Sequence, residues 1–205
     1  MDKKLPNKIP IFPLSGVIYF PETNLPLNIF EQRYLDLVND AVSKDKLMGM
    51  IQLKKNDEVY NVGCLGKISD FQKSKDGRIL INLIGLSRFE IIKEAKNSKL
   101  YREFTVNYEK FNSDSNSTTE DIDTESVLEK AKIFLKKSGL LLNWNKFEKL
   151  DKTQKINTLA MIAPITNEEK QKLLESVSLQ EKAITLKSIM NFYLHEVDFI
   201  NQTIQ

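Results

Sequence analysis

Residues 113–126, SDSNSTTEDIDTES, divide this chain more firmly than any other feature of its 205 residues. The stretch holds five acidic residues, no basic ones and almost no apolar side chains. Such a segment buries too little surface to offset its ordering entropy, so it reads as a linker. The apolar pattern has a different period on each side of it. Before it, short β-branched and aromatic runs are punctuated by turn signals; after it, apolar residues recur at helical spacing. The fold class expected is α+β with its two kinds of element segregated. Residues 1–112 form a β-rich barrel, 113–123 an acidic flexible linker, and 124–205 an α-helical bundle.

In the first part, LMGMIQL (47–53), VGCLGKISDF (62–71), RILINLI (78–84), SRFEII (87–92) and EFTVNY (103–108) have strand length and strand composition. Asp76-Gly77 lies between two of these runs, where a hairpin turn needs a positive φ. Gly85 interrupts LINLIGLSRFEI and suggests a bulge or bend. Pro13, Pro21 and Pro26 cut the opening stretch into short extended pieces. A proline cannot donate to a sheet ladder, so these pieces are expected along strand starts and sheet edges. Asn28 and Glu31 stand at capping-box spacing, and Phe30, Tyr34, Leu37, Val38 and Ala41 follow at helical spacing. A helix over about 29–43 is expected, with Phe30 and Tyr34 on its buried face.

In the second part, Val127, Leu128, Ala131, Phe134 and Leu135 share a helix face, and Gly139 supplies a C-terminal stop. Ile156, Leu159, Ala160 and Ala163 precede Pro164. Thr166 with Glu169, and Ser178 with Glu181, are capping boxes that open two further helices.

Composition narrows the function classes. The net charge is +2, and outside the acidic stretch the chain carries +7, yet only four of the 30 basic residues are arginine. No basic stripe is interleaved with aromatic residues, so nucleic acid is disfavoured as a partner. There is no apolar run of membrane-spanning length and no secretory leader pattern, and Cys64 is the single cysteine. These features favour the cytoplasm and no membrane partner.

The stretch IPIFPLSGVIYFPETNLPLNIFEQRY resembles the opening signature of the Lon protease N-terminal domain and its stand-alone relatives. The matching positions include Phe12, Pro13, Leu14, Phe20, Pro21, Leu25, Pro26, Leu27, Ile29, Phe30, Glu31, Arg33 and Tyr34. VGCLGKI and GLSRFEI are similar to two further strands of that family; Glu22 departs from it, where many members have glycine. The resemblance implies a PUA-like β pseudo-barrel followed by a helical bundle, and a role in binding unfolded or flexible polypeptides. It also implies partners such as a protease or chaperone. No G-x-x-x-x-G-K-[ST] phosphate loop occurs in these residues, and nothing resembles the surroundings of the Lon Ser–Lys dyad. The expectation is a binding module without enzyme activity and without a cofactor or metal.

Candidate chemistry elsewhere is sparse. One histidine, His195, and one cysteine make no zinc site. Cys64 reads as a small buried hydrophobe, His195 as a surface or half-buried side chain, and Trp144 as core or as an exposed anchor. Ser15 or Ser87 could pair with a lysine, but so could many serines in a chain this rich in lysine. Glu31 and Arg33, two apart on the expected helix, would not face each other and would pair with the strands instead. The polypeptide-binding surface expected is Tyr19, Phe20, Leu25 and Leu27. Adjacent Tyr19 and Phe20, if extended, point to opposite faces, so one of them would be the exposed anchor. Pro13, Pro21, Pro26, Phe30, Glu31, Arg33 and Tyr34 are assigned structural roles. The alternatives are an RNA-binding PUA-like module and a peptidase or other hydrolase.

Overall fold

Alternating apolar residues in the first part need a second surface to cover them, and the chain supplies it by closing a sheet on itself. The computed structural model describes residues 5–115 and 123–203. Two compact units are found, Met1–Ser117 and Thr118–Gln205. Of the acidic stretch, residues 116–122 lie outside the described residues.

The first unit contains β1 (Lys8–Leu14), β2 (Asn24–Ile29), α1 (Gln32–Val42), β3 (Leu47–Gln52), β4 (Val62–Lys73), β5 (Ile79–Ala95) and β6 (Glu103–Asn107). The strand order is β2-β5-β4-β3-β1-β6, and β5 also pairs with β6. The long β5 makes this closure possible. Its first half, Ile79–Ile84, lies between β2 and β4, and its last residues, Glu90–Ala95, turn onto β6. The result is a five-stranded barrel with β2 attached outside the ring as an outermost strand. Ile9, Ile11, Ile51, Leu65, Phe89, Phe104 and Val106 fill the interior. Gly63 makes room for Phe89, since a Cβ there would stand 2.6 Å from the Phe89 ring. A Phe→Ala change at such a site typically costs about 3–5 kcal/mol.

The bend expected at Gly85 is present. The β4–β5 register skips Leu86, so Leu65 pairs with Ser87 and Gly66 with Gly85. Here β5 receives residues 18–23, which have no strand structure. Glu22 N–H donates to the Gly85 carbonyl at 2.9 Å, and Gly85 N–H donates to the Thr23 carbonyl at 3.0 Å. A Cβ on Gly85 would lie 2.2 Å from the Phe20 carbonyl oxygen, so glycine is required for this approach. Glu22 sits in the left-handed region, φ 59°, a conformation glycine adopts without strain.

Helix α1 starts three residues later than its apparent capping box suggests. Asn28 pairs with Leu80 as part of β2, and the helix begins at Gln32 with extended Glu31 before it and no side-chain cap. Tyr34, Leu37, Val38 and Ala41 form the buried face as expected. Phe30 does not belong to it and is 65% exposed. The Asp76-Gly77 turn forms with Gly77 at φ 87°.

A short 3₁₀ turn, Glu109–Ser115, follows β6. This turn takes in Ser113–Ser115, the first residues of the acidic stretch.

In the second unit the helices are α2 (Thr124–Lys137), the short α3 (Trp144–Phe147), α4 (Lys152–Ile162), α5 (Asn167–Glu175) and α6 (Leu179–Thr203). Helix α2 is capped by Asp123 and ends at Gly139, φ 72°. The Thr166/Glu169 capping box is complete. Ser178 accepts from Glu181 N–H, while the Glu181 carboxylate reaches one residue farther back, to Val177 N–H. Among the described residues, no helix is long and apolar enough to cross a membrane.

Candidate polypeptide-docking edge

Among the described residues, strand β2 has a ladder partner on one side only. It is antiparallel to β5, with Asn24 opposite Ile84, Pro26 opposite Asn82 and Asn28 opposite Leu80. Directly paired residues share a sheet face. One face of this ribbon is buried through Leu25, Ile29, Ile79, Ile81 and Leu83. On the other, Asn24, Pro26 and Asn28 are exposed, and the alternation runs on to Phe30. Leu80 and Ile84 are 43% and 41% exposed on that same face. Three large exposed apolar side chains thus lie on β5 and just past the end of β2, the outermost strand.

The polar groups between them are fixed. Asn82 Nδ2 donates to Asn24 Oδ1 at 3.3 Å and to Ser69 Oγ at 2.9 Å, while Ser69 Oγ donates to the Asn82 carbonyl at 3.1 Å. Pro26 offers no N–H, which limits how a further strand can pair here. Next to Phe30, Arg33 donates to Glu31 Oε2 through Nε at 3.0 Å and Nη2 at 2.8 Å. Glu31 and Arg33 pair with each other, not with the strands. Extended Glu31 lies outside the helix, so helical side-chain spacing does not separate the two. The hydrogen bond to Glu31 raises the pKa of the Arg33 guanidinium, which lies 4.6 Å from the Tyr34 ring centroid. Burial raises the Tyr34 phenol.

The residues expected to bind polypeptide divide between core and edge. Tyr19 and Phe20 are both buried, at 2% and 0% exposure, so neither is an exposed anchor. Residues 18–23 are not a strand, and strand alternation does not govern adjacent side chains there. Leu25 is buried and Leu27 half-buried, both on β2. Pro13 and Pro21 are buried and Pro26 is exposed. Pro13 lies where β1 pairs with β3 alone, and Pro26 in the outermost strand, placements a proline tolerates. Sequence reasoning missed Phe30, Leu80 and Ile84. The even-numbered alternation Leu80, Asn82, Ile84 carried the signal, but the partner strand that reveals its face is remote in sequence.

The remaining candidates do not converge. His195 is exposed on α6, Cys64 is fully buried, and Trp144 is half-buried with its ring edge-on to Phe147. Ser87 is buried and donates to the Arg88 carbonyl, whereas Ser15 is exposed. Among the described residues, no group of three or more His, Cys, Asp or Glu is placed to hold a metal ion. The edge can supply apolar contact and backbone pairing.

Residues 8–191 match the family model of the ATP-dependent protease La (LON) substrate-binding domain. Lon protease of Flavobacterium johnsoniae is 26% identical over 98% of this chain, and Lon protease of Syntrophus aciditrophicus is 26% identical over 93%. The chain spans about a quarter of the length of each, 26% in both cases. Among solved structures, the Lon N-terminal domain protein from Xanthomonas campestris superposes with a TM-score of 0.67 at 20% identity, covering 88% of this chain and 97% of that one. The N-terminal domain of Mycobacterium avium complex Lon protease superposes with a TM-score of 0.65 at 16% identity, covering 90% and 98%. These two likenesses concern the fold.

Proposed function

Because this chain belongs to the family of the Lon protease substrate-binding domain, we propose that it is a non-catalytic module that binds unfolded or flexible polypeptide segments. The observation that carries this reading is the outermost strand β2, with Phe30, Leu80 and Ile84 exposed around it. An extended segment laid beside β2 gains main-chain hydrogen bonds from the strand edge and apolar contact from the flanking side chains. Phe30 takes the anchoring role first assigned to Tyr19 or Phe20, and Leu25 and Leu27 hold β2 in place from behind. The bound chains are cytoplasmic polypeptides, delivered to or shared with a protease or chaperone. Affinity is modest, about micromolar, or roughly −8 kcal/mol, because each varied segment must be ordered on binding.

Titration of a fluorescent, permanently unfolded polypeptide tests this reading. Wild type binds at micromolar concentration, and Phe30→Ser weakens binding about tenfold with an unchanged melting temperature. Phe20→Ala lowers the melting temperature instead. Equal affinity of wild type and folded Phe30→Ser would remove Phe30 from the site, and no binding by wild type would remove the function.

A further inference from the structure

The second unit carries an apolar tip within a lysine-rich stretch of the chain. Residues 130–155 contain eight lysines against two acidic residues, Glu148 and Asp151, a local net charge of +6 in a chain whose total is +2. Near the middle of this segment is Leu140-Leu141-Leu142. Leu141 is fully exposed at 101% and Leu140 is 43% exposed.

The tip is held in place. Gly139 N–H donates to the Lys136 carbonyl and Leu140 N–H to the Leu135 carbonyl, the paired bonds of a Schellman stop around the left-handed glycine. On the far side, Asn143 caps α3 through Lys146 N–H at 3.1 Å. Trp144 packs on Phe147, and Lys132 of α2 reaches over the Trp144 ring, 5.3 Å from its centroid. The leucines therefore project from a braced turn, with exposed Lys136 at the end of α2 and exposed Lys146 and Lys149 beyond the tip.

We propose that this tip docks on an anionic phospholipid surface. Exposed Leu140 and Leu141, with half-buried Leu142 beside them, give an apolar point that inserts below the headgroups, and the neighbouring lysines meet lipid charge spread over a plane. Lysine suits such a surface, being a flexible point charge with no need of a fixed fork geometry. The leucine tip favours lipid over nucleic acid, which would take the lysines and leave the leucines in water. This binding is peripheral and does not require a spanning helix.

Trp144, the sole tryptophan, lies beside the tip and reports insertion. The full chain is mixed with vesicles of phosphatidylcholine alone or containing phosphatidylglycerol, and co-sedimentation and Trp144 emission are recorded. Binding and a blue shift are expected only with the anionic vesicles. Leu141→Asp, at a position that packs against nothing, abolishes the blue shift and weakens binding about tenfold while the fold is retained. The double variant Lys136→Glu/Lys146→Glu weakens binding at least about tenfold, each lysine near the surface being worth roughly fivefold. No binding to anionic vesicles would overturn the proposal. Unchanged binding by Leu141→Asp would do so too, showing charge attraction alone, as would an RNA duplex that binds more tightly and displaces the vesicles.

Discussion

Arg88 and Asp114 form a buried, two-pronged ion pair, with Arg88 Nη2 2.7 Å from Asp114 Oδ1 and Nε 2.9 Å from Oδ2. The side chains are only 2% and 8% exposed, and the Arg88 backbone N–H also donates to Asp114 Oδ2. The guanidinium stacks over Phe111 at 4.3 Å. The pair pins the 3₁₀ turn Glu109–Ser115 to β5 where that strand passes its bulge. Breaking a buried ion pair by removing one partner typically costs about 3–5 kcal/mol. Asp114→Ala should lower first-unit stability by about that amount in urea unfolding, while Ser113→Ala, at a neighbouring position, should change it by less than about 0.5 kcal/mol. Equal effects would mean that the pair contributes nothing beyond its loop.

Lys46 adopts φ 64° just after α1, and its N–H closes on the Ala41 carbonyl at 2.9 Å. The left-handed conformation costs an L-residue about 1–2 kcal/mol, and glycine escapes that cost while losing part of the gain through a freer unfolded chain. Lys46→Gly should therefore raise stability by about 0.5–1 kcal/mol. Thermal unfolding checks the sign; a lower melting temperature would show that the lysine side chain stabilises the turn.

Acid should destabilise the first unit through a defined cluster. Hydrogen bonds from Tyr101 and Lys99 lower the Asp40 carboxyl. Burial opposes ionisation of Glu103, but hydrogen bonds from Lys8, Asn97 and Lys99 outweigh it and leave its pKa lowered. Burial and the bond to Asp40 push the Tyr101 phenol up to about 12. Carboxyls lowered in the folded state contribute stability that is complete above their unfolded values, about pH 4, and disappears as pH falls through the folded ones. The urea midpoint should fall below about pH 4. Lys99→Met, which removes a donor common to Asp40 and Glu103, should flatten that fall. An unchanged pH profile would place the acid sensitivity elsewhere.

The sequence was most legible where structure depends on near neighbours. The strands around Asp76-Gly77, the Gly139 stop and the Thr166/Glu169 box all rest on contacts within a few residues. The errors arose where a remote partner overruled a local signal. Asn28 and Glu31 look like a capping box, but pairing of Asn28 with Leu80 carries the strand past the apparent start of the helix. Phe30 then falls outside the buried helix face, and extended Glu31 meets Arg33. Tyr19 and Phe20 are both buried because their segment bonds to Gly85 through its backbone instead of forming a strand. Asp114 sits in a stretch whose composition reads as linker, and only the fold brings Arg88 to it. Leu25 and Leu27 lie on β2, the strand proposed as the docking edge, although the exposed side chains around it come from Phe30 and from β5.

The most direct test of polypeptide docking along β2 is a map of backbone amide chemical shifts. The ¹⁵N-labelled chain is titrated with an unlabelled unfolded peptide and followed by two-dimensional NMR. Docking along β2 should concentrate the shifts on residues 24–30 and on Leu80–Ile84, with the N–H groups of β2 gaining protection from exchange. Shifts that leave residues 24–30 unmoved and gather on another surface of the barrel or on the helical unit would contradict it.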